Sequence, residues 1–458
     1  MSRSLTQAIQ EAGNPVKLLR NSQAPPQIVP PPVPVEYSNW QSEQLSWRDS
    51  CGLLDQSHHM VTIILEGPDI VDFLSRIGVN SFKNYGVDKA KHFIGCTPDG
   101  HLIGQGILFQ VQENKALLVG AHPIMDWVEY NHAATANKIK LKREGTSLTR
   151  PGDPSYFRYQ LQGPNALSVM RDCLGEEPPE LRFFHMGHIK IAGRDVTLLR
   201  HGMVGAPGFE MFGDWKDREP VLEALLEAGR EHDLKQVGGA AYFTTAAYSG
   251  YISGIVPGIF TSPELADYRN WLSDRSWAAT TPLGGSFNSD DIEDYYFNPF
   301  VVGYGRSISF DHEFIGRSAL EKMMENGDDT RQKKVTLIWD SEDVVNVTRS
   351  FFTDELPAKW LKVPGAKYTT YQYDSVLSGD KFVGISTWPA ISAEYRRFLS
   401  TAIIDSEYAV DGTELSLLWG EDPNSTKPGV EPHKQVEIKA TVAPAPFFEY
   451  ARTKYRQD

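Results

Sequence analysis

The phrase Gly-Pro followed by Asp or Asn occurs twice, as Gly67-Pro68-Asp69 and Gly163-Pro164-Asn165, each time after a strand-like run and before a helical one. MVTIILEG leads into PDIVDFLSRIG, where Ile70, Phe73, Leu74 and Ile77 fall on one helical face. YFRYQLQGP leads in the same way into a helix expected from Asn165 to Leu174. Proline suits the first helical turn, because the N–H it lacks would be an orphan there. A repeated strand, turn and helix predicts an internal duplication: two related halves built on one plan.

The flanking sequence extends this plan. GILFQV and ALLVG follow in the first block, and HIKIAG and DVTLLRHG in the second, all reading as strands. Ahead of both lies a segment with amphipathic helical spacing at Leu5, Ile9, Val16 and Leu19. It is followed by QAPPQIVPPPVPVEYSNW, whose prolines exclude a helix and favour an extended strap. A plain linker is the alternative, but Tyr37, Trp40 and Trp47 give the segment apolar anchors. The polar run KMMENGDDTRQKK precedes VTLIWD, KFVGIST, STAIID, ELSLLWG and VEIKATV, which read as strands of a separate small barrel or sandwich. The expected units are residues 1–46 (helix and strap), 47–325 (the duplicated domain) and 326–458 (the β domain). A chain of 458 residues accommodates two or three domains at roughly 150 residues each.

Bulk composition excludes several functions. Hydrophobic residues make up 41% and charged residues 23%, within the globular range, so most of the chain should fold. With 45 basic and 59 acidic residues the net charge is −14 and no basic cluster stands out, so nucleic acid is not an expected partner. Cys51, Cys96 and Cys173 form no CxxC pair, which indicates neither zinc nor disulfides and suits a reducing compartment. No apolar run approaches the length of a membrane span, and the N-terminus has no apolar signal core, so a soluble cytoplasmic protein is expected.

The usual catalytic signatures are missing: there is no G-x-S-x-G elbow, P-loop, H-E-x-x-H or G-x-G-x-x-G run. His185 and His188 have the spacing of two metal ligands on a helix, but Gly187 and the strand-like surroundings argue for a structural role, and no metal is expected.

Longer phrases carry a resemblance. LLDQSHHMVTIILEGPDIVDFL, RHGMVGAPGFEMFG and FDHEFIGRSAL resemble the aminomethyltransferase of the glycine cleavage system and its relatives. LLRNSQ, YSNWQSEQLSW, DQSHHM, VNSFKNYG, GGSFNSDDIEDYY, NPFVVGYG and VEPHKQVEIKATVAP are similar to the tetrahydrofolate-dependent vanillate and syringate O-demethylases. The likeness runs from about Leu5 to Tyr450. It implies an α+β fold: a pseudo-duplicated folate-binding domain followed by a C-terminal β-barrel. It also implies tetrahydrofolate as methyl acceptor and a small aromatic methyl ether as donor.

The resemblance further implies a set of site residues. Glu210, in Gly208-Phe209-Glu210, would accept the two parallel hydrogen bonds of the pterin edge, as a carboxylate can. Gln162 matches a second pterin contact, and Tyr251 stands where the family has a folate-side tryptophan. Tyr242 matches a tyrosine that protonates the departing phenolic oxygen; read alone, a tyrosine after a Gly-Gly turn is a packing residue. His59 matches a substrate-binding histidine, with a structural histidine as the alternative; if His58 and His59 lie on a strand, only one of them faces a ligand.

Departures from the pattern bear on the substrate. Ala121, followed by His122, replaces the arginine that holds the carboxylate in the vanillate enzyme, so His122 is a candidate substrate contact. An acidic residue of the glycine-cleavage enzyme is missing where Gly104-Gln105 stands, which disfavours aminomethyl transfer. These changes argue against vanillate or syringate as the preferred substrate. They leave as candidates a methoxybenzoate with the methoxy group beside the carboxylate, chlorinated as in dicamba, or a neutral methoxyphenol. Demethylation of a non-aromatic donor and non-catalytic folate binding are the competing functions.

Overall fold

The computed structural model of the protein describes residues 3–25, 32–252, 254–421 and 427–457, so residues 26–31 of the expected strap lie outside the described residues. The duplication is explicit in the topology. Strand Val61–Glu66 feeds helix Ile70–Ile77; strands Lys89–Cys96, Leu102–Gln112 and Lys115–Gly120, helix His122–Ala134 and strand Lys140–Glu144 follow. The second half repeats this order. Strand Tyr156–Gln162 and helix Ala166–Leu174 lead to strands Met186–Ile191, Arg194–Leu199 and Gly208–Asp214, then helix Arg218–Gly229 and strand Leu234–Val237.

Each half forms one sheet with the same strand order, except that Cys51–Asp55 is inserted into the second sheet, between Tyr156–Gln162 and Leu234–Val237. The insertion was not foreseen from the sequence, since CGLLD carries nothing that names its partner strands. The structure places Pro68 and Pro164 outside the first helical turn. The helix N-caps are Asp69 and Asn165, so each proline precedes the cap and does not occupy the first turn. The two glycines are then the constrained positions. Gly67 has φ +153 and Gly163 φ +129, and their N–H groups donate to Asn114 O and Pro207 O, each at 2.9 Å. A Cβ on Gly163 would stand 2.5 Å from the carbonyl oxygen of Ser50.

Six strands close the C-terminal barrel in the order Gln332–Trp339, Arg397–Asp405, Lys381–Ser392, Asp374–Ser378, Glu414–Trp419 and Val436–Pro444. Trp339 and Trp419 fill its interior edge to face, 5.4 Å apart. The expected N-terminal helix is two helices, Leu5–Ala12 and Pro15–Arg20, because Gly13 turns at φ +92 and Asn14 caps the second by accepting from Lys17 N. Behind them, Pro34 and Val35 of the strap accept hydrogen bonds from Gly239 N and Ala240 N, the first turn of the short helix that carries Tyr242. Trp47 is buried against Tyr248, as an anchor should be. Among the described residues no helix is long and apolar enough to cross a membrane.

Gly163→Ala places a side chain in a backbone region that L-residues avoid, against a carbonyl with no room to yield. It should lower unfolding stability by about 2 kcal/mol or more in urea denaturation. A loss below about 0.5 kcal/mol would contradict the account of the repeated turn.

Candidate active site

Side chains at 158, 160 and 162 alternate onto one face of their strand, and Glu210 pairs with Gln160 on the neighbouring strand, so four polar groups share one buried surface. Arg158 and Glu210 are 7% and 1% exposed and form a salt bridge through Arg158 Nη2 and Glu210 Oε1. Glu210 Oε2 has no donor among the described residues. The Arg158 guanidinium also lies over the Phe109 ring, at 5.7 Å.

This surface opens into a cavity of about 1220 Å³. Its walls include Arg158 and Glu210 of one sheet and His92, Ile107 and Val119 of the other. The 201–205 loop, Tyr251, Tyr304, Lys334 at the entry to the barrel, and the C-terminal segment complete it. Phe183 and Phe184, stacked 4.3 Å apart, line one side. Tyr251 keeps 38% of its surface open, and burial of its hydroxyl pushes the group up to about 12. Beside it Lys334 Nζ donates to Gly250 O at 2.8 Å, and burial lowers that amine to about 8.

Tyr242 and His59 lie one layer behind the wall. The Tyr242 hydroxyl is 2.8 Å from His59 Nε2 and 2.9 Å from Met203 Sδ, and Met203 lines the cavity in front of it. Gln56 Nε2 reaches the same sulfur, at 2.8 Å. Burial, then the charge of Arg158, lowers His59 to about 3, so its imidazole is neutral. Burial raises the Tyr242 hydroxyl well above its ordinary value and keeps it protonated. His58 and His59 sit in a turn and not on a strand, yet they diverge as expected: His58 faces Asp55 and Trp215 while His59 meets Tyr242.

Two expected residues are placed elsewhere. Gln162 does not reach the cavity; its Oε1 accepts from Val204 N at 3.0 Å, so it braces the 201–205 loop, and its buried Nε2 has no partner among the described residues. His122 is not at the site at all. Ala121 is a helix N-cap, and the chain turning into that helix carries His122 onto Trp277, stacked at 4.8 Å, with Nδ1 3.1 Å from Arg143 Nη2. The cause is that the helix begins at His122, just after the strand end, and the His122 ring is taken up by Trp277 and Arg143. His185 and His188 are likewise not on a helix: His185 makes an isolated bridge to Lys89 just before a strand and His188 lies within that strand, its Nε2 2.8 Å from Asp88. Arg158, Met203, Gln56 and His92 were missed. A charged residue alternating with glutamines in FRYQLQ was the one sequence signal that could have marked Arg158.

Residues 32–253 match the family described as GCVT N-terminal domain. The chain is 45% identical to syringate O-demethylase of Sphingobium sp. (strain NBRC 103272 / SYK-6), covering 99% of this chain and 98% of that protein. It is 28% identical to sesamin methylene transferase of Sinomonas sp. (strain No.22), covering 91% and 90%. The glycine cleavage system aminomethyltransferase T from Bartonella henselae shares the fold, with TM-score 0.62 and 17% identity over 95% of this chain and 98% of that one. The chain belongs to the tetrahydrofolate-dependent O-demethylase family, methyltransferases built on the aminomethyltransferase fold.

Proposed function

We propose that the protein removes the methyl group of a methoxylated aromatic acid and transfers it to N5 of tetrahydrofolate, releasing a phenol. The observation that carries this reading is the Tyr242–His59 pair set behind a cavity that has room for two ligands. At about 1220 Å³ the cavity exceeds the few hundred to roughly 1,000 Å³ that one small ligand requires.

The walls suit tetrahydrofolate. Glu210 offers a free carboxylate oxygen to the N–H edge of the pterin, and its Arg158-bound oxygen keeps spare lone pairs. Tyr251, Phe183 and Phe184 offer aromatic surface, and Lys91, Arg306, Lys333 and Lys334 offer charge to carboxylates. Bound there, tetrahydrofolate supplies a nucleophilic amine. The protein must then hold the two reactants together in line and stabilise the leaving oxygen. Tyr242 supplies the hydroxyl for that purpose, with His59 oriented behind it as a neutral partner. Met203 has to move off the hydroxyl when the ether enters, a displacement its unbranched thioether permits.

The syringate-demethylating relative supports an aromatic donor, and the basic wall favours an anionic ring over a neutral one. We assign the donor to the methoxybenzoate type, with dicamba as one member to be tried. The domain limits 1–46, 47–325 and 326–458 and a cytoplasmic location complete the proposal. A panel of syringate, vanillate, 2-methoxybenzoate, dicamba and guaiacol, assayed with tetrahydrofolate for 5-methyltetrahydrofolate, tests it. Turnover of a benzoate well above guaiacol is expected, and guaiacol as the best substrate would reject the anionic assignment.

Tyr242→Phe keeps the ring and deletes the donor, so kcat should fall about a hundredfold while tetrahydrofolate affinity is retained. Wild-type turnover in the variant would remove Tyr242 from the chemistry. Because His59 is held near 3 and Tyr242 far above 10, kcat should show no limb from this pair between pH 6 and 9, whereas a limb near the ordinary histidine value of about 6.5 would contradict the assignment. Glu210→Gln alone would leave Arg158 buried without a counter-charge, so the informative variant is Arg158→Gln with Glu210→Gln. It should fold and bind tetrahydrofolate at least about tenfold more weakly by calorimetry, and unchanged affinity would refute the pterin contact.

A further inference from the structure

Methyl transfer from an ether to a secondary amine moves two protons: the phenolic oxygen must gain one and the amine must lose one. Tyr242 accounts for the first. The cavity wall holds a group suited to the second, on a strand of the other sheet.

His92 lines the cavity, and its Nε2 lies 2.6 Å from Gln105 Oε1. The Gln105 amide cannot be turned around, because its Nε2 donates to the carbonyl oxygen of Ile252 at 2.8 Å. Its oxygen therefore faces the imidazole, and the imidazole must bring the hydrogen. That places the proton on His92 Nε2 and leaves Nδ1 as a bare acceptor. No protein donor reaches Nδ1 among the described residues, and the atom is not a sealed, unpartnered one. Tyr304 fixes the ring plane by edge contact at 4.8 Å and 89°. Burial, opposed by the hydrogen bond to Gln105 and aided by the charges of Arg456, His201 and Lys334, lowers the ring to about 4, so the imidazole is neutral.

Of the other acceptors on the wall, Glu210 pairs with Arg158 through Oε1 and offers Oε2 to the pterin edge, and His201 Nδ1 lies 2.6 Å from the Tyr455 hydroxyl. Asp329 lies in the turn before the barrel.

We propose that His92 accepts, through Nδ1, the proton that N5 of tetrahydrofolate sheds as it takes the methyl group, and that Gln105 is the positioning residue that fixes the accepting tautomer. This rests on the methyl-transfer reading above. The methyl C–O bond breaks with its electron pair left on the phenolic oxygen, and the N5 lone pair forms the new N–C bond. The N5 proton passes to His92 Nδ1 and the Tyr242 proton to the phenolic oxygen. The two side chains return to their starting states by exchange with solvent, one losing a proton and the other gaining one. Nothing is oxidised or reduced. A weak base is adequate here, because an alkylated pterin amine holds its extra proton only weakly.

Imidazole ¹⁵N spectra of the full chain, with the His92 signals among the 12 histidines assigned by comparison with His92→Asn, test the geometry. The free protein should show His92 protonated at Nε2 and unprotonated at Nδ1. Saturating tetrahydrofolate alone should shift the Nδ1 resonance in the direction of an accepted hydrogen bond. His92→Asn retains an acceptor but no base, so kcat should fall about a hundredfold with tetrahydrofolate affinity within a few-fold of wild type. Free imidazole should restore part of the rate to His92→Ala, which a purely structural role would not allow. A protonated Nδ1, an Nδ1 signal indifferent to tetrahydrofolate, or a His92→Asn variant as fast as wild type would overturn the assignment while leaving the methyl-transfer reading standing. A wild-type protein that binds tetrahydrofolate but demethylates no aryl ether would overturn that reading itself, and the base assignment with it.

Discussion

The salt bridge between Arg158 and Glu210 is the interaction on which the rest of the site depends. Both groups are buried, so removing either one would leave the other as an unpaired charge out of water. Arg158 lies against Phe109 and shares a wall with Met60 and Phe212, and the two ends of the pair act on different neighbours. Burial keeps His59 unprotonated and the guanidinium adds to it, whereas on Tyr242 burial dominates, with the guanidinium lowering the hydroxyl and the carboxylate raising it. A buried ion pair is seldom the cheapest way to stabilise a core, and replacing both partners with apolar groups is often tolerated. Its retention in the wall of a large cavity is better explained by what it presents to a ligand than by stability.

Around this pair the duplicated architecture brings opposite requirements to facing walls. The second-half sheet carries Arg158 and Glu210, and the first-half sheet carries His92 and Gln105. Tyr242 belongs to neither sheet. Its short helix is held by the strap through Pro34 and Val35 and by Glu43, whose Oε2 accepts from Gly238 N at 2.8 Å. The strap is therefore part of the scaffold of the candidate site. The C-terminal segment plays a matching part on the opposite side, where the Tyr455 hydroxyl accepts from Gly202 N at 2.6 Å and so anchors the loop that carries Met203.

Much of the fold could be read from local pattern. The twin Gly-Pro phrases identified the duplication because a positive-φ turn beside a foreign carbonyl leaves a residue signature. Barrel strands such as VTLIWD and ELSLLWG showed themselves as short apolar runs at hairpin spacing. What could not be read depended on distant chain. Cys51–Asp55 joins the second sheet through partners far along the sequence, and Asp374–Ser378 is too short and polar to stand out. Among the candidate site residues, Glu210 and Tyr251 line one cavity, with Tyr242 and His59 paired behind its wall. His122 is not among them, because the direction of a side chain at a helix start depends on which way the helix leaves the sheet. Arg158 and His92 escaped notice for a related reason: their meaning lies in a partner on another strand.

The central claim is that this cavity moves an intact methyl group from an aromatic oxygen to tetrahydrofolate. The most direct test is a single turnover with a ¹³C-methoxy benzoate and excess protein, followed by carbon NMR of the quenched mixture. The account predicts that the label appears as the N-methyl of 5-methyltetrahydrofolate in equal amount with the free phenol. Label recovered as formaldehyde, methanol or methylenetetrahydrofolate would contradict it.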